Sequence, residues 1–229
     1  MSNVSKIPIK PLHLEVADRV RQMILNGELK KGERILEAEM CTSLGISRTP
    51  FREALRILSS EGLIDVVPNR GAYVAQPSAK DIREMFEVMS ILEGACARVA
   101  AERMTESDFR KIEGTHQTLE AHYEAKDHER YLAVNHAYHV LVQEMAGNKI
   151  LDEVINGLRQ KILLYRHRQL YQTDRFAASI QEHRDLLEAF RRRDAEAAES
   201  LMKRHLMNQC EAIVGPSESR SSRPPGSRE

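Results

Sequence analysis

The chain has no apolar run of the roughly 18 to 20 residues that a membrane-spanning helix needs, which excludes a helical membrane anchor. Its opening residues, MSNVSKIPIK, lack the apolar centre of a secretory signal, so the expected location is the cytoplasm. Its cysteines, Cys41, Cys96 and Cys210, are few, odd in number and widely spaced, which speaks against a disulfide framework. Each falls in a helical pattern and reads as reduced core packing. Net charge is also missing: 34 basic residues balance 34 acidic ones, which argues against a general nucleic-acid coat but leaves room for a local basic face. Between Asp81 and Val214 no stretch alternates convincingly with period two, so that region offers no strands and reads as a helical bundle. No internal repeat is present.

What is there suits two small domains, since 229 residues are long for one helical core. An apolar share of 41% with 30% charged residues describes a globular chain laced with surface salt bridges. The reading is mainly α. Residues 1–76 form a winged helix-turn-helix of three helices and a β-hairpin, 77–214 an antiparallel all-α bundle, and 215–229 a disordered tail rich in Ser, Pro, Gly and Arg.

Leu12, Val16, Val20, Met23 and Ile24 recur at helical spacing over Leu12 to Asn26, and Gly27 stops that helix. Ile35, Met40 and Leu44 mark a short second helix ending at Gly45. A third begins within Ser47-Arg48-Thr49-Pro50, where Ser47 or Thr49 caps and Pro50 is tolerated in the first turn. Strands are expected at Leu63 to Val67 and Ala72 to Ala75, around the turn Pro68-Asn69-Arg70-Gly71. Ser78 and Asp81 resemble a capping box opening a long helix. Five more helices follow, at Thr105 to Ala125, His128 to Ala146, Lys149 to Leu170, Thr173 to Arg193 and Ala195 to Val214.

The third helix carries Arg48, Arg52 and Arg56 four residues apart, opposite a buried stripe of Phe51, Ala54, Leu55 and Leu58. Inserted N-terminus first into a major groove, it would bring Arg48, Thr49 and Arg52 to base edges, where the guanidinium fork matches guanine, and Arg56 to phosphate. Such a stripe also arises as a plain solvated face. The order of short helix, glycine turn, arginine helix and hairpin favours DNA reading.

The runs Gly32-Glu33-Arg34-Ile35-Leu36, Leu44-Gly45-Ile46-Ser47-Arg48-Thr49-Pro50-Phe51-Arg52-Glu53-Ala54-Leu55, Glu61-Gly62-Leu63 and Arg70-Gly71-Ala72-Tyr73-Val74 resemble the GntR family of bacterial regulators. The resemblance implies a homodimer on a short palindrome of double-stranded operator DNA. The DNA-facing set is then Arg34, Ser47, Arg48, Thr49, Arg52, Arg56, Asn69, Arg70 and Gly71.

In the second domain Asn135 and His139 share a helix face, and His183 and His205 lie on two further helices. Converging imidazoles suit zinc or a similar divalent ion, nickel and manganese included, with positions left open. Spacing alone also allows packing histidines. The segments Asn135-His136-Ala137-Tyr138-His139, Glu182-His183 and Arg204-His205 resemble the FCD effector domain of the FadR subfamily, which implies a metal held by Asn135, His139, His183 and His205 beside a small-molecule effector. Two departures stand out. Asn135 replaces the usual Asp and removes a negative charge, implying a looser metal. Met89 stands where an arginine is common, four residues before Glu93, so an effector gripped other than as a simple carboxylate is expected. Arg166, His167 and Arg168 either supply the missing donor or form a solvated basic cluster.

The expected mechanism is that effector binding shifts the placement of two DNA-binding domains in a dimer. Rival readings are a sensor of the metal itself, an architectural DNA binder and a metal-dependent hydrolase. The hydrolase needs a general base, and nothing in the sequence fixes Glu182 or Asp185 toward the histidines.

Overall fold

The structure is a computed structural model that describes the backbone of residues 11–166 and 173–215, and the side chains of 11–162 and 174–215. His167, Arg168, the side chain of Arg166, the last residues of the helix expected to reach Leu170, and the tail beyond Gly215 lie outside the described residues. The described residues form nine helices and one small sheet. None of these helices is long and apolar enough to cross a membrane.

The first compact unit runs to Ser78 and also takes in Asn156–Leu164. Its helices are α1 (Leu12–Leu25), α2 (Glu37–Leu44) and α3 (Arg48–Ser60), and its strands β1 (Arg34–Ile35), β2 (Ile64–Val67) and β3 (Gly71–Val74). The apolar positions that repeat in the sequence meet in one core: Val16, Val20 and Ile24 from α1, Met40 from α2, and Phe51, Ala54, Leu55 and Leu58 from α3. Ile64, Ala72 and Val74 close it from the sheet. Gly45 ends α2 in the left-handed conformation at φ 66°, where glycine avoids the Cβ clash.

The sheet corrects one expectation. Ile35 belongs to β1, not to the second helix, and pairs with Ala72 while Arg34 pairs with Tyr73. The strand order is β1-β3-β2, so the expected hairpin gains a third strand. A two-residue strand has no periodicity of its own. Its partner, nearly forty positions away, defines it.

The second unit begins at Ala79 with α4 (Ala79–Arg103), followed by α5 (Glu106–Glu124), α6 (His128–Ala146) and α7 (Lys149–Arg166), the last contributing Asn156–Leu164 to the first unit. The final helices are α8 (Thr173–Arg191) and α9 (Ala195–Val214). Thr105, Asp127 and Asp194 each accept a backbone N–H at a helix start, and Thr105 with Asp108 completes a reciprocal capping box. In this bundle α4 packs along α9 and α6, α8 packs on α9 and α5, and α5 also packs on α6. The cysteines are free and buried, as their helical surroundings imply.

Candidate functional site

On α3 the two faces separate as the spacing requires. Phe51, Ala54, Leu55 and Leu58 are buried, whereas Arg48, Thr49, Arg52 and Arg56 are exposed. Ser47 occupies the N-cap position in extended conformation without a side-chain cap bond, so its hydroxyl is not spent on the helix start. Arg52 Nε donates to Glu37 Oε1 at 2.8 Å, tying α3 to α2. In the same unit, Asn69 and Arg70 are exposed at the turn of the β2–β3 hairpin, and Asn69 adopts φ 60°. Gly71 has φ 105°, and a Cβ there would lie 3.5 Å from Arg34 Nε. The Arg34 side chain therefore lies close over the hairpin backbone, and the exposed cations of β1 and the hairpin are neighbours.

The second cluster is buried in the helical unit. Asn135 and His139 come from α6, His183 from α8 and His205 from α9, and none is more than 3% exposed. One ligand atom from each histidine lies within 4.8 Å of the others. His139 Nδ1 is 2.7 Å from Glu93 Oε2 of α4, and His205 Nδ1 is 2.6 Å from Glu182 Oε2 of α8. Burial disfavours the Glu182 carboxylate, but hydrogen bonds from His205 and Arg175 outweigh it and hold the carboxyl at about 2. Glu182 is therefore ionised and accepts the His205 Nδ1 proton. It also accepts both guanidinium nitrogens of Arg175, at 2.9 and 2.7 Å, and Asn208 Nδ2 at 2.7 Å.

Assigning the Nδ1 protons to the sides of Glu93 and Glu182 leaves the Nε2 lone pairs of His139 and His205 facing each other at 3.2 Å. Burial, reinforced by the neighbouring His205 and His139, holds the His183 pKa well below the ordinary histidine value, so this ring is neutral. Its Nε2 is 2.6 Å from Asn135 Oδ1, and its Nδ1 has no hydrogen-bond partner among the described residues. Opposed lone pairs repel, and a shared cation removes the repulsion. Nitrogens bound to one zinc-like ion at about 2.1 Å lie roughly 3.0 to 3.4 Å apart, so the His139–His205 spacing fits such an ion. Carboxylates behind the rings fix which nitrogen points inward.

Residues 84–208 match the FCD domain, and residues 12–74 match the bacterial regulatory proteins of the gntR family. The chain belongs to the GntR family and carries an FCD domain. It is 26% identical to the transcriptional repressor RspR of Escherichia coli K12, over 90% of each chain. It is 28% identical to the galactonate operon repressor of the same strain, over 78% of this chain and 86% of that one. Among solved structures, E. coli McbR/YncC superposes with a TM-score of 0.70 at 25% identity, covering 90% of this chain and 98% of that chain. The GntR-family chain is thus a transcriptional regulator and not an enzyme. The hydrolase reading also fails locally, because Glu182 is bound by Arg175, His205 and Asn208 rather than free to take a proton.

Of the expected effector-pocket residues, Met89 is fully buried on α4. Glu93, one turn on, meets His139, so it serves the histidine centre directly. Arg166 and His167 lie outside the described side chains. Sequence reasoning weighed Glu182 only as a base for the hydrolase reading and passed over Arg175 and Gln209. Their signals were faint: Arg175 and Glu182 stand seven apart on α8, and Gln209 follows His205 by four on α9, spacings that share a helix face but are common.

Proposed function

We propose that this GntR-family regulator is a ligand-responsive repressor. Residues 1–76 read a short operator palindrome as part of a homodimer, and residues 77–214 bind a small molecule beside a divalent ion and change operator affinity. The observation that carries the DNA half is the exposed row Arg48, Thr49, Arg52 and Arg56 opposite a fully packed α3 stripe. Ser47, Arg34, Asn69, Arg70 and Gly71 extend the same surface, suited to phosphate and an adjacent groove. Repression is favoured because RspR and the galactonate regulator are named as repressors.

The metal half rests on the converging nitrogens of His139, His183 and His205 with Asn135 Oδ1. Imidazole and amide donors suit zinc, nickel or manganese, and Asn135 makes the site less charged than an Asp would. When bound, the ion would supply a Lewis-acidic anchor for a donor atom of the effector. Met89 removes the option of a guanidinium grip from that position, so the effector is less polar than a simple carboxylate or is anchored elsewhere. The homodimer is supported by apolar side chains left in water on the helical unit: Val88 and Ile91 on α4, 47% and 59% exposed, and Ile150 and Val154 on α7, 69% and 48% exposed. Action on operator DNA places the protein in the cytoplasm.

The test takes the full chain, measures its metal by mass spectrometry, selects bound genomic fragments and titrates the enriched fragment with and without chelator. Expected results are an ion retained by wild type and lost in His139→Ala, and enrichment of a palindrome. Ion content equal in both proteins contradicts the metal half, and absence of enrichment contradicts the DNA half. Operator binding governed by chelator alone would make the metal the signal.

A further inference from the structure

The centre contains one more donor than the proposed set of Asn135, His139, His183 and His205. Gln209 is 2% exposed, and its side-chain Nε2 lies 2.5 Å from His205 Nε2, the nitrogen that also faces His139 Nε2 at 3.2 Å. His205 Nδ1 is committed to Glu182, so the contacted Nε2 carries a lone pair and accepts from the Gln209 amide. Position 209 follows position 205 by one helical turn, so both side chains reach the same point from α9. The two ends of an amide are nearly the same size, and which one points inward is set by what it meets. Facing a lone pair, the NH2 end points inward. Facing a cation, a half-turn of the amide brings Oε1 to the same place at no steric cost.

We propose that Gln209 is a fifth protein ligand, its amide oxygen joining Asn135, His139, His183 and His205 on the ion. The proposal rests on the metal reading given above. It also explains how a site with Asn135 in place of a carboxylate retains an ion: a second neutral oxygen replaces part of the donation lost with the charge. Three imidazoles and two amide oxygens suit ions that accept five or six donors, and leave an octahedral ion one position for an effector.

The test is a cobalt(II) titration of the metal-stripped full chain, followed by visible absorption. Wild type is expected to give the weak bands of a five- or six-coordinate ion. Gln209→Met, similar in size but without the oxygen, is expected to lose about tenfold or more in cobalt affinity, comparable to removing a supporting group at a metal site. Its bands should move toward the intense four-coordinate pattern. Gln209→Glu restores an oxygen and is expected to bind cobalt at least as tightly as wild type. Wild-type affinity and band shape in Gln209→Met would overturn the proposal. If circular dichroism shows that Gln209→Met does not fold, Gln209→Glu decides: equal or tighter binding supports the ligand role, and weaker binding overturns it. No cobalt uptake by wild type overturns the metal reading and this proposal together. Uptake lost in His139→Ala but untouched in Gln209→Met overturns this proposal alone.

Discussion

Arg52 is 62% exposed and Glu37 28% exposed, and a pair so open to water contributes at most about 1 kcal/mol to folding. Its consequence is directional. Glu37 engages Nε and leaves the two terminal nitrogens of Arg52 out of that bond, and a side chain already held at Nε has less freedom to lose when its fork meets a base. Arg48→Ala and Arg52→Ala are each expected to cost about 1 to 3 kcal/mol in operator binding, whereas Arg56→Ala mainly flattens the salt dependence. Glu37→Ala is expected to weaken operator binding about two- to tenfold while sparing the melting temperature, measured by anisotropy and calorimetry. A second residue-scale effect is set by pH. Burial pushes the His116 pKa below its ordinary 6.5, so the folded chain takes up this proton less readily than the unfolded one. Well above pH 6.5 neither state holds the proton and this contribution to stability is fully present. As pH falls through that value the unfolded chain binds the proton more than the folded one does, and stability is lost. The melting temperature should therefore drop between pH 7 and 5.5, and His116→Leu should blunt the drop.

Among the elements, helices announced by caps and periodicity were legible, and features created by distant partners were not. Thr105, Asp127 and Asp194 cap where their chemistry suggests, and the α3 stripe faces the core. The strand β1 escaped notice because only β3 defines it. The histidines were visible as candidates, since Asn135 and His139 share a face of α6. The carboxylates that orient them were not, because Glu93 meets His139 across 46 positions and Glu182 meets His205 across 23. Gly94 shows how closely the elements carrying this centre approach. A Cβ there would come within 3.3 Å of the Glu199 carbonyl oxygen on α9 and 2.8 Å of Lys203 Cγ. The lysine can move aside, but the carbonyl cannot without the helix. Gly94→Val is expected to destabilise the fold by about 1 to 3 kcal/mol and to loosen metal binding, because α4 carries Glu93 and α9 carries His205. An unchanged melting temperature would show that the α4–α9 packing is not tight.

At the scale of the whole molecule, one chain joins an exposed arginine row on α3 to a buried cluster of three histidines, the two features on which the proposed function rests. If a bound molecule alters operator affinity by some factor, operator must alter its affinity by the same factor, whatever route connects them. That relation gives any candidate effector a check independent of gene expression. It is useful only once the DNA surface is secure. Fluorescence anisotropy of the genome-selected operator, at one fixed salt concentration, compares wild type with Arg48→Ala and Arg52→Ala after each variant is shown to melt like wild type. The account predicts affinity losses of roughly fivefold or more in each variant, with binding to unrelated DNA reduced far less. Wild-type operator affinity in both variants would contradict it.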